Sequence, residues 1–148
     1  MTGKSASNTV INTMAKVKLS NKQLLTIFQV LSKLDPGLDP QNRTKSAFTF
    51  KAKASYVLAR NFKRLRGIVD DLEKIRVDTF KKYRQGEEET LSGENAKQFT
   101  AEFQEVLDET VEFDFYTIDV NDLELDKNHV NMDVLSELLD TIVIGEIT

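Results

Sequence analysis

From Phe50 to Arg84 the chain reads FKAKASYVLARNFKRLRGIVDDLEKIRVDTFKKYR, and no proline interrupts it. Ala54, Leu58, Phe62, Leu65, Ile68, Val69, Leu72, Ile75, Phe80 and Tyr83 recur at three- and four-residue steps, the spacing of an amphipathic helix or a coiled-coil seam. The periodicity predicts a helix beginning near Ser46. A continuous helix over this stretch runs roughly 52 Å at about 1.5 Å per residue. That is longer than a compact domain of 148 residues is wide, so part of it must project or pack against a neighbour. Gly67 falls in the middle, where it costs about 1 kcal/mol relative to Ala, and it marks an expected bend or close crossing.

On the C-terminal side, Gln85 to Asn95 holds Gly86, three consecutive glutamates, Ser92 and Gly93, and reads as a solvated connector that reverses the chain. A helix over 95–109 follows, with Phe99, Phe103, Val106 and Leu107 on one side to pack antiparallel on the long helix. Val111-Glu112-Phe113-Asp114-Phe115 alternates apolar and acidic residues, as a half-buried strand continuing towards Ile118 and Val120 does. An acidic loop over 122–128 leads to a terminal helix starting near Asn131, with Val134, Leu135, Leu138, Leu139, Ile142 and Val143 as its apolar side.

On the N-terminal side, Ser20-Asn21-Lys22-Gln23 is a capping box. Leu24, Ile27, Phe28, Leu31 and Leu34 then mark a helix that Asp35-Pro36-Gly37 and Pro40 stop. Val10 to Leu19 predicts a strand, and residues 1–9 a flexible polar tail. These elements compose one helix-dominated α+β domain over 1–148. Its parts are a strand plus capped helix (10–40), a helical hairpin with the long central helix (46–110), and a strand, acidic loop and terminal helix (111–148). The strands near 10–19 and 110–120 are expected to form a small two-stranded β element.

Hydrophobic residues at 40 % and charged residues at 30 % suit a globular chain. The absence of cysteine removes disulfides, thiolate nucleophiles and cysteine-bound metal. No apolar run reaches the ~18 residues of a membrane span, and no signal-peptide pattern opens the chain. The net charge of −4 conceals a polarity: residues 1–66 hold 13 bases and two acids, whereas 87–148 hold two bases and 18 acids. Such asymmetry means either a nucleic-acid surface on the basic half or halves that meet each other within or between subunits. The second reading is favoured, because a free-standing nucleic-acid binder is usually basic overall.

Catalytic and metal-binding motifs are weak. His129 is the only histidine and has no cysteine to join it. Thr2-Gly3-Lys4-Ser5 imitates the end of a phosphate-binding loop without its upstream glycine. Asp122, Glu124, Asp126, Asn128 and Asp133 follow calcium-loop offsets, but Lys127 stands where that loop needs glycine. No enzyme activity, cofactor, metal or small-molecule substrate is therefore expected. The basic segment from Arg43 to Arg66 contains eight bases and no acid, interleaved with Phe48, Phe50, Tyr56 and Phe62. Lys51, Lys53, Arg60, Lys63, Arg64 and Arg66 are its candidate contacts, to an acidic protein surface or, as the alternative, to nucleic-acid phosphates with bases stacked on the aromatics.

Ala47-Phe48-Thr49-Phe50, Leu58-Ala59-Arg60-Asn61 entering a charged helix that ends in Lys81-Lys82-Tyr83, Phe99-Thr100-Ala101-Glu102-Phe103, Val111-Glu112-Phe113-Asp114 and Asp122-Leu123-Glu124 carry a resemblance. Over about residues 46–126 the chain resembles short uncharacterised proteins encoded by tailed bacteriophages and prophages. The resemblance implies a virion component or assembly factor in the virion or host cytoplasm, contacting itself or other virion proteins, and transfers no site residue. Together with the over-long helix and the charge polarity, it predicts a non-enzymatic structural or assembly protein, oligomeric through protein–protein contacts.

Overall fold

A computed structural model describes residues 14–39, 48–87 and 89–146. Several expectations lie outside them: the polar tail and its phosphate-loop mimic, the first residues of the strand read from Val10, the helix start near Ser46, and Arg43 and Lys45 of the basic segment.

The two expected strands pair. β1 (Met14–Ser20) runs antiparallel to β2 (Thr110–Tyr116), with Ala15 opposite Phe115, Val17 opposite Phe113 and Leu19 opposite Val111. Strand side chains alternate between faces, so these six share one face. Phe113 and Phe115 are buried on it, and Val17, Leu19 and Val111 pack against the same core. The other face sets Lys16 across from Asp114 and Lys18 across from Glu112, opposite charges of the kind that contribute roughly 0.2 to 1 kcal/mol per pair.

β1 passes directly into α1 (Asn21–Leu34) through the capping box. The Gln23 amide donates to Ser20 Oγ at 3.1 Å and the Ser20 amide to Gln23 Oε1 at 2.9 Å, so two amides that a helix start leaves unpaired are satisfied. Leu24, Ile27, Val30, Leu31 and Leu34 are its buried side. At its end the Asp35 carboxylate accepts from the Gly37 amide at 3.0 Å and starts a 3-10 turn over Pro36–Leu38.

α2 (Ala52–Tyr83) is the long helix, 32 residues and therefore about 48 Å. It begins later than Ser46. Phe48 to Lys51 are not helical, and the Thr49 amide in that segment donates to Asn128 Oδ1 at 2.8 Å. Ala54, Val57, Leu58, Phe62 and Leu65 enter the core. At Gly67 α2 continues unbroken and the expected close crossing is absent among the described residues: apart from the helix's own backbone, no heavy atom lies within 4 Å of where a Cβ would stand. Its full backbone freedom in the unfolded chain is therefore uncompensated. Gly67→Ala should add about 0.5 to 1 kcal/mol and raise the calorimetric unfolding midpoint by roughly 1 to 4 °C; an unchanged or lower midpoint would contradict this.

α3 (Gly93–Asp108) returns along the second half of α2 and has no fully buried residue. Phe80 meets Phe99 edge-on at 6.2 Å, Phe99 stacks with Phe103 at 6.0 Å, and Lys82 pairs with Glu102 at 2.7 Å. The root of this hairpin is tied to α1, where Asn21 Nδ2 donates to the Val106 carbonyl at 2.9 Å.

The C-terminal third departs from the expected elements. After β2 the chain forms a two-residue β3 (Ile118–Asp119) and a 3-10 turn over Val120–Leu123, so the strand read towards Val120 is broken. α4 (Met132–Leu138) is shorter than the expected terminal helix, and Val143–Ile144 form β4, parallel to β3. Leu139 turns to extended backbone (φ −64°, ψ 143°) and ends the helical winding, Asp140 follows at φ 68°, and Thr141-Ile142-Val143-Ile144 is a β-branched run suited to extended backbone. Ile142 and Val143 are fully buried all the same.

Candidate functional site

The six candidate cations separate sharply. Lys53 Nζ pairs with Asp122 at 3.0 Å. Arg66 pairs with Asp39 at 3.4 Å and Asp70 at 3.8 Å, and its guanidinium lies over the stacked rings of Phe28 and Phe62. It closes one side of a groove of about 540 Å³ floored by Leu38, Ala59 and Phe62. Arg60 Nη2 donates to the Tyr116 hydroxyl at 3.2 Å, and the Arg60 guanidinium carbon Cζ lies 5.4 Å from that ring's centre. Arg64 donates to the Asp114 carbonyl and lies 4.7 Å from the Phe113 ring centre. Lys51 and Lys63 are exposed, with no ion pair among the described residues. Four of the six cations thus hold α2 against the acidic half of the same chain or against the turn that follows α1.

Between Arg60 and Arg64 stands a residue that the charge pattern hides. Asn61 is fully buried; its Nδ2 donates to the Tyr116 carbonyl at 2.8 Å and its Oδ1 accepts from the Tyr116 amide at 2.9 Å. β1 occupies one edge of β2, and Asn61 with Arg64 occupies the other, satisfying strand groups that point away from β1. Asn128 plays a similar part beneath the acidic loop: besides accepting from Thr49, it donates to the Leu123 carbonyl at 3.1 Å. A lone asparagine in a polar loop or on a basic helix gives no sequence signal for either role, because the segment each one ties down, Tyr116 for Asn61 and Thr49 for Asn128, is more than fifty residues away.

Arg60 and Arg64 surround Tyr116 with positive charge and have no carboxylate ion pair among the described residues. The hydrogen bond from Arg60, reinforced by the charges of Arg60 and Arg64 and opposed by partial burial, holds the Tyr116 phenol below its ordinary value of about 10. The folded phenol ionises below its unfolded value, so the unfolded chain binds more protons between the two. The pair's stabilisation therefore grows as pH rises through that window and is lost as pH falls through the folded value. The chain has no tryptophan, which leaves tyrosinate absorbance unobscured. Alkaline titration should show Tyr116 ionising early, and Arg60→Gln should move it back up; an unmoved curve would remove Arg60 as the cause.

Three of the five calcium-like residues are otherwise engaged. Asp122 bonds Lys53, Glu124 bonds Lys127 at 3.0 Å, and the Asn128 side chain faces backbone groups. Among the described residues no group of three or more His, Asp or Glu side chains is placed to hold a metal ion, and no helix is long and apolar enough to cross a membrane. His129 is exposed.

The remaining candidate surface is the α2–α3 hairpin. Beyond Leu65, Leu72 is the one buried residue of α2, and it lies outside the main core cluster. Ile75 is 39 % exposed, and Val77, Phe80, Phe99 and Phe103 are half-buried. Comparison of the chain with protein-family models, with curated proteins and with solved structures finds no match.

Proposed function

We propose that this chain is a non-enzymatic structural or assembly protein of bacteriophage type, acting through protein–protein contacts as an oligomer in the virion or the host cytoplasm. One observation carries the reading: the apolar stripe of α2 continues past the core into a two-helix arm that leaves it half covered. Two helices make a single layer, and an apolar stripe leaves water only when a second layer closes over it. The phage-protein resemblance agrees with that role. Size-exclusion chromatography with light scattering should give at least twice the mass of one chain at high protein concentration. The mass of one chain at every concentration and salt would overturn the proposal.

Arg60 and Arg64, without carboxylate partners, favour nucleic-acid binding as the second reading. Each phosphate neutralised adds about 0.7 to 0.9 to the log–log salt slope, so binding through these residues with Lys63 should collapse between ~50 and ~200 mM salt. Charge reversal at Lys63, Arg64 and Arg66 should then abolish oligonucleotide retention. Wild type that retains none at low salt excludes this reading.

A further inference from the structure

Asp70, Glu73, Val77, Lys81 and Arg84 follow one another along α2 and just past its end at three- and four-residue steps, so they share one face. The face is acidic at its inner end, apolar at its centre and basic at the tip of the arm. Asp70, Glu73 and Lys81 are exposed, and Val77 and Arg84 are half-buried. Val77 and Phe80 line an open groove of about 260 Å³ together with Arg76, Lys81, Arg84 and Glu89, three bases and one acid. Asp70 and Glu73 each bond an arginine of their own helix, Arg66 at 3.8 Å and Arg76 at 2.6 Å, yet their side chains remain 70 % and 58 % exposed. Lys81 and Arg84 have no ion pair among the described residues.

We infer that this face receives the same face of a second copy, antiparallel, about a two-fold axis through Val77; the inference rests on the assembly reading above. Two α2 arms laid antiparallel with Val77 against Val77 set Asp70 opposite Arg84 and Glu73 opposite Lys81, and the two-fold repeats both pairs. A parallel arrangement sets acid on acid and base on base. A partner of one charge sign, a nucleic acid or a uniformly acidic protein, meets repulsion at one end of the face. Symmetry gives the contact its closure, because each copy presents the same patch and receives it. The contact covers about 21 Å of helix, so the dimer is weak, favoured by protein concentration and loosened by salt.

The chain contains no cysteine, so Val77→Cys introduces a single thiol at the axis. Mild oxidation of the full chain should convert most of that variant to a reducible species of twice the chain mass, while Asp71→Cys, on a different face of the helix, should stay largely uncrosslinked. Asp70→Lys with Glu73→Lys should return the protein to the mass of one chain, and adding Lys81→Glu with Arg84→Glu to the same chain should restore the dimer. Circular dichroism checks that each variant is folded, as expected for changes on an open helix face. An oligomeric wild type in which Val77→Cys crosslinks no faster than Asp71→Cys, or in which the four-fold variant stays monomeric, overturns this contact and leaves the assembly reading intact. A wild type monomeric under all conditions overturns both. Oligonucleotide retention that disappears on reversing Lys81 and Arg84, with no change in mass, assigns the face to nucleic acid instead and overturns the contact.

Discussion

Asn61→Ala should destabilise the protein by about 2 to 3 kcal/mol, although the substitution removes a polar side chain from the interior and keeps a good helix former in its place. The loss comes from the strand, not the helix. Asn61 is fully buried and bonds both the amide and the carbonyl of Tyr116, and each buried backbone group left without a partner costs about 1 to 3 kcal/mol. Tyr116 is half-buried, so water recovers part of that loss and the lower end of the summed range of about 2 to 6 kcal/mol applies. Asn61→Asp is expected to be no milder: the carboxylate can still accept from the Tyr116 amide, but it places an unpaired charge against the Tyr116 carbonyl. Urea unfolding of the two variants beside wild type decides the matter. A shift below about 1 kcal/mol for Asn61→Ala would mean that α2 does not hold the β2 edge in solution.

This site shows where reading the residues in order stops working. The capping box at Ser20 and Gln23 is legible because its partners are three residues apart and the geometry of a helix start dictates both. The pairing of β1 with β2 is legible because alternation marks both strands and Lys16 and Lys18 find Asp114 and Glu112 opposite them. Arg60, Arg64 and Lys53 look like a free basic face in sequence, since the groups that bind them, Tyr116, Asp114 and Asp122, come more than forty residues later. The β3–β4 ladder is two residues long on each side, too short for any periodicity to show. Ile142 and Val143 fit a helical stripe and a buried strand equally well; burial was predictable there and the element was not. The arm is the converse case. A stripe longer than one domain needs is visible in the sequence, but only the fold shows that the core claims it as far as Ile68 and then leaves it.

Phe115→Ala should be the most damaging single truncation, at about 3 to 5 kcal/mol. Phe115 has no exposed surface, its ring centre is 4.6 Å from that of Phe113, and it belongs to the same buried cluster as Leu24, Leu31, Leu58 and Leu65. Its cross-strand neighbour is Ala15, too small to swing into the space the ring leaves, so the cavity stays largely open and the upper part of the range applies. Stabilities of ordinary domains are about 5 to 15 kcal/mol, and a loss of this size lowers the unfolding midpoint of a chain this long by roughly 10 to 15 °C. Leu72→Ala supplies the contrast. Leu72 is also buried, yet it sits on the arm outside that cluster, where neighbours on one side can relax into the gap, and about 2 kcal/mol is expected. Thermal and urea unfolding of both variants test the division of α2 into a core half and an arm half. Equal losses at Phe115 and Leu72 would show that the arm is packed as tightly as the core and would weaken the case that it is left open for a second copy.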